Sequence, residues 1–198
     1  MNTNLQALSG GFAQPVLNAQ AVFRLLMDGM SRPGTIQTTA VETGQPAPLG
    51  QAAAAVALTL CDADTPVWLQ SSLAKSAVGE WIAFHTGAAM VQEKAEAKFA
   101  FLQASAGVCS FDLFASGTQE YPDRSATVVI EVSAFGEGRS FTLAGPGIRD
   151  QSKVSIAGLP AMFDEIWRNN RTLFPRGVDV ILTAGASLLC LPRTTKIA

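Results

Sequence analysis

The chain has 198 residues, 48% apolar and only 15% charged, with a formal net charge of −2 from 14 Lys and Arg against 16 Asp and Glu. This size fits one domain, residues 1–198, with 1–15 as a flexible N-terminal segment, and the composition excludes a disordered or polybasic chain. Without a basic field, non-specific nucleic-acid binding has no electrostatic support. A mean hydropathy of +0.24 predicts a large core and surface left over for a protein partner.

Cys61, Cys109 and Cys190 are odd in number and far apart, and His85 is the single histidine. No zinc set can be assembled at normal spacing, and the cysteines read as small buried hydrophobes in a reducing compartment. The first 15 residues lack a signal-peptide layout. The longest apolar run, residues 52–61, is about half the roughly 20 residues a membrane span requires. The expectation is a cytoplasmic protein with no membrane contact and no metal.

Taken in chain order, residues 18–30 place Val22, Phe23, Leu26, Met27 and Met30 on one helical face, with Asn18 as N-cap and Arg32-Pro33-Gly34 as the stop. A short strand follows at 35–41, then a loop at 44–48. The Ala-rich stretch 51–61 predicts a buried helix, broken by Asp62-Ala63-Asp64. Residues 65–69 form a short strand. Ser71 starts a second amphipathic helix through Leu73, Val78, Trp81, Ile82 and His85 to Thr86-Gly87. The stretch 88–115 has the weakest pattern, with a strand at 98–103 and a helical turn at 109–115. Residues 126–135 form a strong strand, Gly136-Glu137-Gly138 a hairpin connection and 140–144 the return. A helix spans 160–170, and strands at 178–183 and 188–191 flank Gly185. The fold class is α/β, three-layer α/β/α with a mixed sheet.

The chemical inventory is sparse. There is no P-loop and no G-x-S-x-G elbow, and the glycine loop at 145–150 lacks the third glycine of a dinucleotide fingerprint. His85 reads either as a helix-end histidine favoured by the helix C-terminus or as a site residue. Asp62 and Asp64 either share a proton or a metal, or bond the backbone of a turn. Four loops set an arginine close to a proline: Arg32, Arg124, Arg176 and Arg193. Proline aims the guanidinium, which suits an anion or an interface; the alternative is a solvated loop arginine. If the last two strands pair, Arg176 and Arg193 share one edge with Thr194, and Asp179 either leaves them free for an anion or holds one in an internal ion pair.

The segments FRLLMDGMSRPG (23–34), TLCDADTPVWL (59–69), FHTGA (84–88), YPDRSATVVI (121–130), LAGPGI (143–148), FPRGVDVILT (174–183) and LPRTT (191–195) occur in that order. Together they resemble the PhnH family, a subunit of the bacterial carbon–phosphorus lyase system for phosphonate use. The resemblance runs from about residue 15 to the C-terminus and is weakest at 89–118.

That resemblance implies a fold similar to the large domain of pyridoxal-phosphate-dependent transferases, without the cofactor. It implies a homodimer that joins the PhnG, PhnI and PhnJ subunits of the lyase core complex. With PhnG, PhnI and PhnL, such a subunit supports formation of ribose 1-methylphosphonate 5-triphosphate from ATP and methylphosphonate, displacing adenine. It assigns this subunit no catalytic residues; the arginines are candidate anion-binding or interface groups. Two other readings stay open: a scaffold with no ligand site, and a stand-alone pyridoxal-phosphate transferase using one of Lys75, Lys94, Lys98, Lys153 or Lys196.

Overall fold

The computed structural model describes residues 7–108 and 110–197. Its centre is a six-stranded mixed sheet in the order β1 (Ile36–Thr38), β8 (Ser187–Leu191), β7 (Asp179–Ala184), β4 (Thr127–Glu131), β3 (Phe99–Gln103), β2 (Val67–Leu69). The four strands β7, β4, β3 and β2 are parallel, and β8 runs antiparallel to both β7 and β1. Its central strands are buried on both faces, so they read as unbroken apolar runs.

Side chains alternate between two cores. On one face, Val129, Ile181 and Cys190 pack under α1 (Pro15–Ser31), α2 (Gln51–Leu60) and α4 (Val78–Thr86). On the other, Val128, Ile130, Val180 and Leu182 meet a second, three-stranded sheet ordered β6 (Ser152–Ala157), β5 (Ala134–Ala144), β9 (Lys196–Ile197), together with α5 (Phe163–Thr172). The mixed α/β architecture holds, but the expected α/β/α layering is changed: helices cover one face, while a small antiparallel sheet shares the other with a single α-helix, because β5, β6 and β9 supply apolar side chains to that core.

Several local readings change. The first helix begins at Pro15, a favoured first position, and Asn18 caps from inside it by accepting the Gln14 N–H at 3.1 Å. The helix expected from Ser71 is split into α3 (Ser71–Ala74) and α4. The Ser76 hydroxyl does this, donating to Leu73 O and accepting the Val78 N–H in place of helical bonds. The expected hairpin at 136–138 does not form. β4 stays in the large sheet, while β5 crosses into the small one and runs straight through the glycines. Phe135 and Arg139 both register with Ile156, so the glycines form an irregularity within one strand, not a turn between two.

Strand β6 was not anticipated, although Val154 and Ile156 alternate inward along it. Of the helical turn expected at 109–115, residues 110–115 are irregular and bury Phe111 and Phe114; Cys109 lies outside the described residues. Cys61 and Cys190 are buried free thiols, and burial pushes each up to about 12. Residues 7–14, read above as part of a flexible lead, lie against the fold: Ala7 is buried, Gly11 bonds Thr43 and Ser9 accepts the Trp81 indole N–H at 2.9 Å.

Candidate functional site

The fold brings three of the four arginine loops together. The last hairpin pairs as expected, with Val180 opposite Leu191, so the entry to β7 lies beside the exit from β8. The loop ahead of β4 joins them, because Thr127 registers with Asp179.

Arg193 occupies the middle of this cluster. Its Nε donates to Asp179 Oδ1 at 3.1 Å and its Nη2 to Asp179 Oδ2 at 2.5 Å. Nη2 also donates to Ser125 Oγ at 2.6 Å, and Nη1 to Pro122 O at 2.6 Å and Pro175 O at 3.5 Å. Its backbone N–H reaches Asp179 Oδ1 at 2.8 Å. A guanidinium has five N–H groups, and each of these has an acceptor within the chain. The side chain is only 14% exposed. This geometry favours the internal ion pair over the open anion receptor for Arg193: a new anion would have to displace Asp179 or a carbonyl. Two of the acceptors are proline carbonyls, so the Pro–Arg loops are tied to one another through a single guanidinium.

Around this brace, Arg124 lies over the Tyr121 ring at 4.1 Å, and Tyr121 and Phe174 face solvent. Arg176 is half-buried with its Nε unpaired, and the Thr194 carbonyl lies against Gly145. Lys98 donates to the Arg124 carbonyl at 2.9 Å.

The other expected residues lie elsewhere. Arg32 ion-pairs with Asp28 one turn back on α1, and Asp28 also accepts from Gln37 at 2.8 Å. Asp62 accepts the Asp64 N–H and the Thr65 hydroxyl, both at 3.0 Å, which is the turn alternative. His85 lies in the last turn of α4, its ring tilted against that of Trp81 with centroids 4.9 Å apart and its Nε2 3.3 Å from Ser9 O. It borders a cavity of about 360 Å³ whose other walls include Phe12, Val16 and Leu58. Among the described residues, no three His, Cys, Asp or Glu are placed to hold a metal, and no helix is long and apolar enough to cross a membrane.

A further polar row lies at the carboxyl ends of the parallel strands, the edge where open α/β sheets place ligands. Gln103, Glu131 and Thr183 are in register across β3, β4 and β7. Glu131 Oε2 accepts the Gly50 N–H at 3.1 Å, and so caps α2 from 81 residues away. A Cβ at Gly50 would stand 2.0 Å from Glu131 Oε1, so any side chain there would push the carboxylate out of its present position. Burial outweighs that hydrogen bond and raises the Glu131 carboxyl above its ordinary 4.5. The sequence carried one signal for this residue, an isolated acid in the apolar run ATVVIEV.

A raised carboxyl binds its proton more tightly in the fold than in the unfolded chain. Its contribution is therefore present below pH 4.5 and lost as pH rises through the folded value. Glu131→Gln keeps the oxygen that Gly50 needs and removes this pH dependence. Denaturant titrations across pH 4–8 should show a smaller fall in stability for the variant than for the parent; parallel curves would contradict the assignment.

Comparison with known proteins places these features in context. The family model described as "Bacterial phosphonate metabolism protein (PhnH)" matches residues 10–198. The chain is 53% identical over 197 residues, all of its own length and 98% of the relative's, to "Alpha-D-ribose 1-methylphosphonate 5-triphosphate synthase subunit PhnH" of Rhizobium meliloti (strain 1021). It is 42% identical over 85 residues, 41% of the chain and 42% of the relative, to "Putative C-P lyase subunit protein HtxG" of Stutzerimonas stutzeri.

Proposed function

Because this chain belongs to the PhnH family, we propose that it works as a subunit of the carbon–phosphorus lyase system. In this reading it supports formation of ribose 1-methylphosphonate 5-triphosphate from ATP and methylphosphonate together with PhnG, PhnI and PhnL subunits, and joins PhnG, PhnI and PhnJ in the core complex. The observation that carries the reading is the 53% identity along the whole length of a relative named as a synthase subunit.

The geometry supports a role through contact. Arg193 is used up inside the chain, and its brace holds Tyr121, Arg124 and Phe174 outward. Exposed aromatics beside arginine are the composition of interface anchors. A second uncovered face runs along α1, where Val16, Phe23 and Met27 are 82%, 48% and 56% exposed. Pairing with a second copy of the chain, in the cytoplasm, belongs to the same reading.

So does the absence of a cofactor of its own. The same reading takes the fold as similar to the large domain of pyridoxal-phosphate-dependent transferases, supported by the mixed sheet with helices packed on one face. Two candidate aldimine lysines are otherwise engaged: Lys94 lies over the Trp68 ring and Lys98 donates to a backbone carbonyl. A visible absorbance band in the purified protein would favour the transferase reading. Co-expression with PhnG, PhnI and PhnJ tests the subunit reading: the chain should co-elute with them as one species on size exclusion, and elution apart from all three would contradict it.

A further inference from the structure

Helix α5 carries a charged stripe that the arginine loops do not use. Asp164, Trp167, Arg168, Arg171 and Thr172 follow the i, i+3, i+4, i+7, i+8 spacing of a single helical face. They form one wall of a cleft of about 260 Å³, and Ile197 of the edge strand β9 lines the other.

The acid in this cleft is paired through one oxygen: Asp164 Oδ2 meets Arg139, which also donates to Ala161 O at 2.8 Å, while Asp164 Oδ1 is enclosed without a donor. Arg168 and Arg171 have no ion pair among the described residues. The Arg171 Nε is shielded from solvent with no acceptor, and a buried donor without a partner is costly. The Thr195 hydroxyl, fully buried, also lacks a partner, and it sits beside the cleft wall because the Trp167 indole N–H donates to Thr195 O at 2.9 Å. With Arg139, Arg168 and Arg171 set against Asp164, the cleft holds surplus positive charge in a chain whose net charge is −2.

We propose that the cleft between α5 and β9 is an oxyanion site that takes a phosphoryl or phosphonyl group, held between the Arg168 and Arg171 guanidiniums. Planar guanidinium donors suit such oxygens through paired hydrogen bonds. A water molecule occupies about 30 Å³ of liquid, so the cleft has room for a phosphoryl group or a short polyphosphate chain. The inference rests on the charge and shape of this cleft and does not require the assembled complex.

Calorimetric titration of the isolated full-length chain with tripolyphosphate, inorganic phosphate and methylphosphonate tests it. Saturable binding of at least one is expected. Arg168→Gln, an exposed change that leaves the core untouched, should weaken that binding at least tenfold, as should Arg171→Lys, which keeps the charge but loses the paired donors. Arg149→Gln, exposed and remote from the cleft residues in sequence, should leave it within twofold. Three outcomes would overturn the proposal: no saturable binding of any of the three anions, binding unchanged in both cleft variants, or an equal loss in Arg149→Gln, which would mark general charge attraction. Failure here would leave co-elution with the partner subunits unaffected, so the two readings fall separately.

Discussion

Replacing Arg193 with alanine is expected to destabilise the fold by about 3 kcal/mol, the lower end of the cost of breaking an enclosed ion pair. The sequence alone suggests a surface loop change, worth within about 0.5 kcal/mol. The structure reverses that expectation. The Asp179 carboxylate is 24% exposed and takes three bonds from Arg193, while Pro122 O and Ser125 Oγ lose their donor in the same step. The backbone N–H bond survives in the variant, which is one reason the cost stays below the top of the range.

For a chain of this length the melting temperature should fall by roughly 6–12 °C, at about 2–4 °C per kcal/mol. Arg193→Lys should lie between, since an ammonium keeps the ion pair and loses the fork that spans three loops. Thermal and urea unfolding check both. A change under about 0.5 kcal/mol for the alanine variant would mean the brace contributes little. With the expected loss, a growth defect in an Arg193 variant follows from stability before any loss of contact.

Asn170→Ala should cost a similar amount through a different mechanism. Asn170, 3% exposed at the end of α5, donates to Val178 O at 2.9 Å and accepts the Val178 N–H at 2.8 Å. Its amide stands in for a neighbouring strand just before β7 begins. Alanine would leave a buried N–H and a buried C=O unpaired, at about 1–3 kcal/mol for each such group. A loss of about 3 kcal/mol is expected by urea titration.

Asn170→Asp is the sharper variant. It keeps the acceptor for the Val178 N–H but turns a carboxylate oxygen toward Val178 O, so it should be no more stable than alanine at neutral pH and should recover when acidified. Gly177 belongs to this arrangement: its φ is +114°, and a Cβ there would meet Asn170 Oδ1 at 2.9 Å. An aspartate variant as stable as the parent at pH 7 would contradict this account.

The last hairpin was legible because two apolar runs of matching length flank Gly185, and that pairing alone places the loops of Arg176 and Arg193 on one edge. The wider junction was not legible. Ser125 and Pro122 lie 68 and 71 positions from Arg193, and only parallel packing of β4 against β7 brings them to it. Glu131 met the same limit, since its partner is the N-terminus of a helix 81 residues away. The glycines at 136 and 138 misled for another reason. Positive φ serves an irregular strand as well as a turn, and local composition does not distinguish them. The face of α5 carrying Arg168 and Arg171 has helical spacing in the sequence, but nothing local shows that Ile197 of β9 closes a cleft against it.

The central claim is that this chain acts as one subunit of a phosphonate-activating assembly. Release of adenine from ATP in the presence of methylphosphonate, followed chromatographically, tests it most directly. PhnG, PhnI and PhnL with this chain should release adenine in step with formation of the ribose 1-methylphosphonate product. The same mixture without it, and the isolated chain, should release little or none. Equal adenine release with and without the chain, or turnover by the chain alone, would contradict the account.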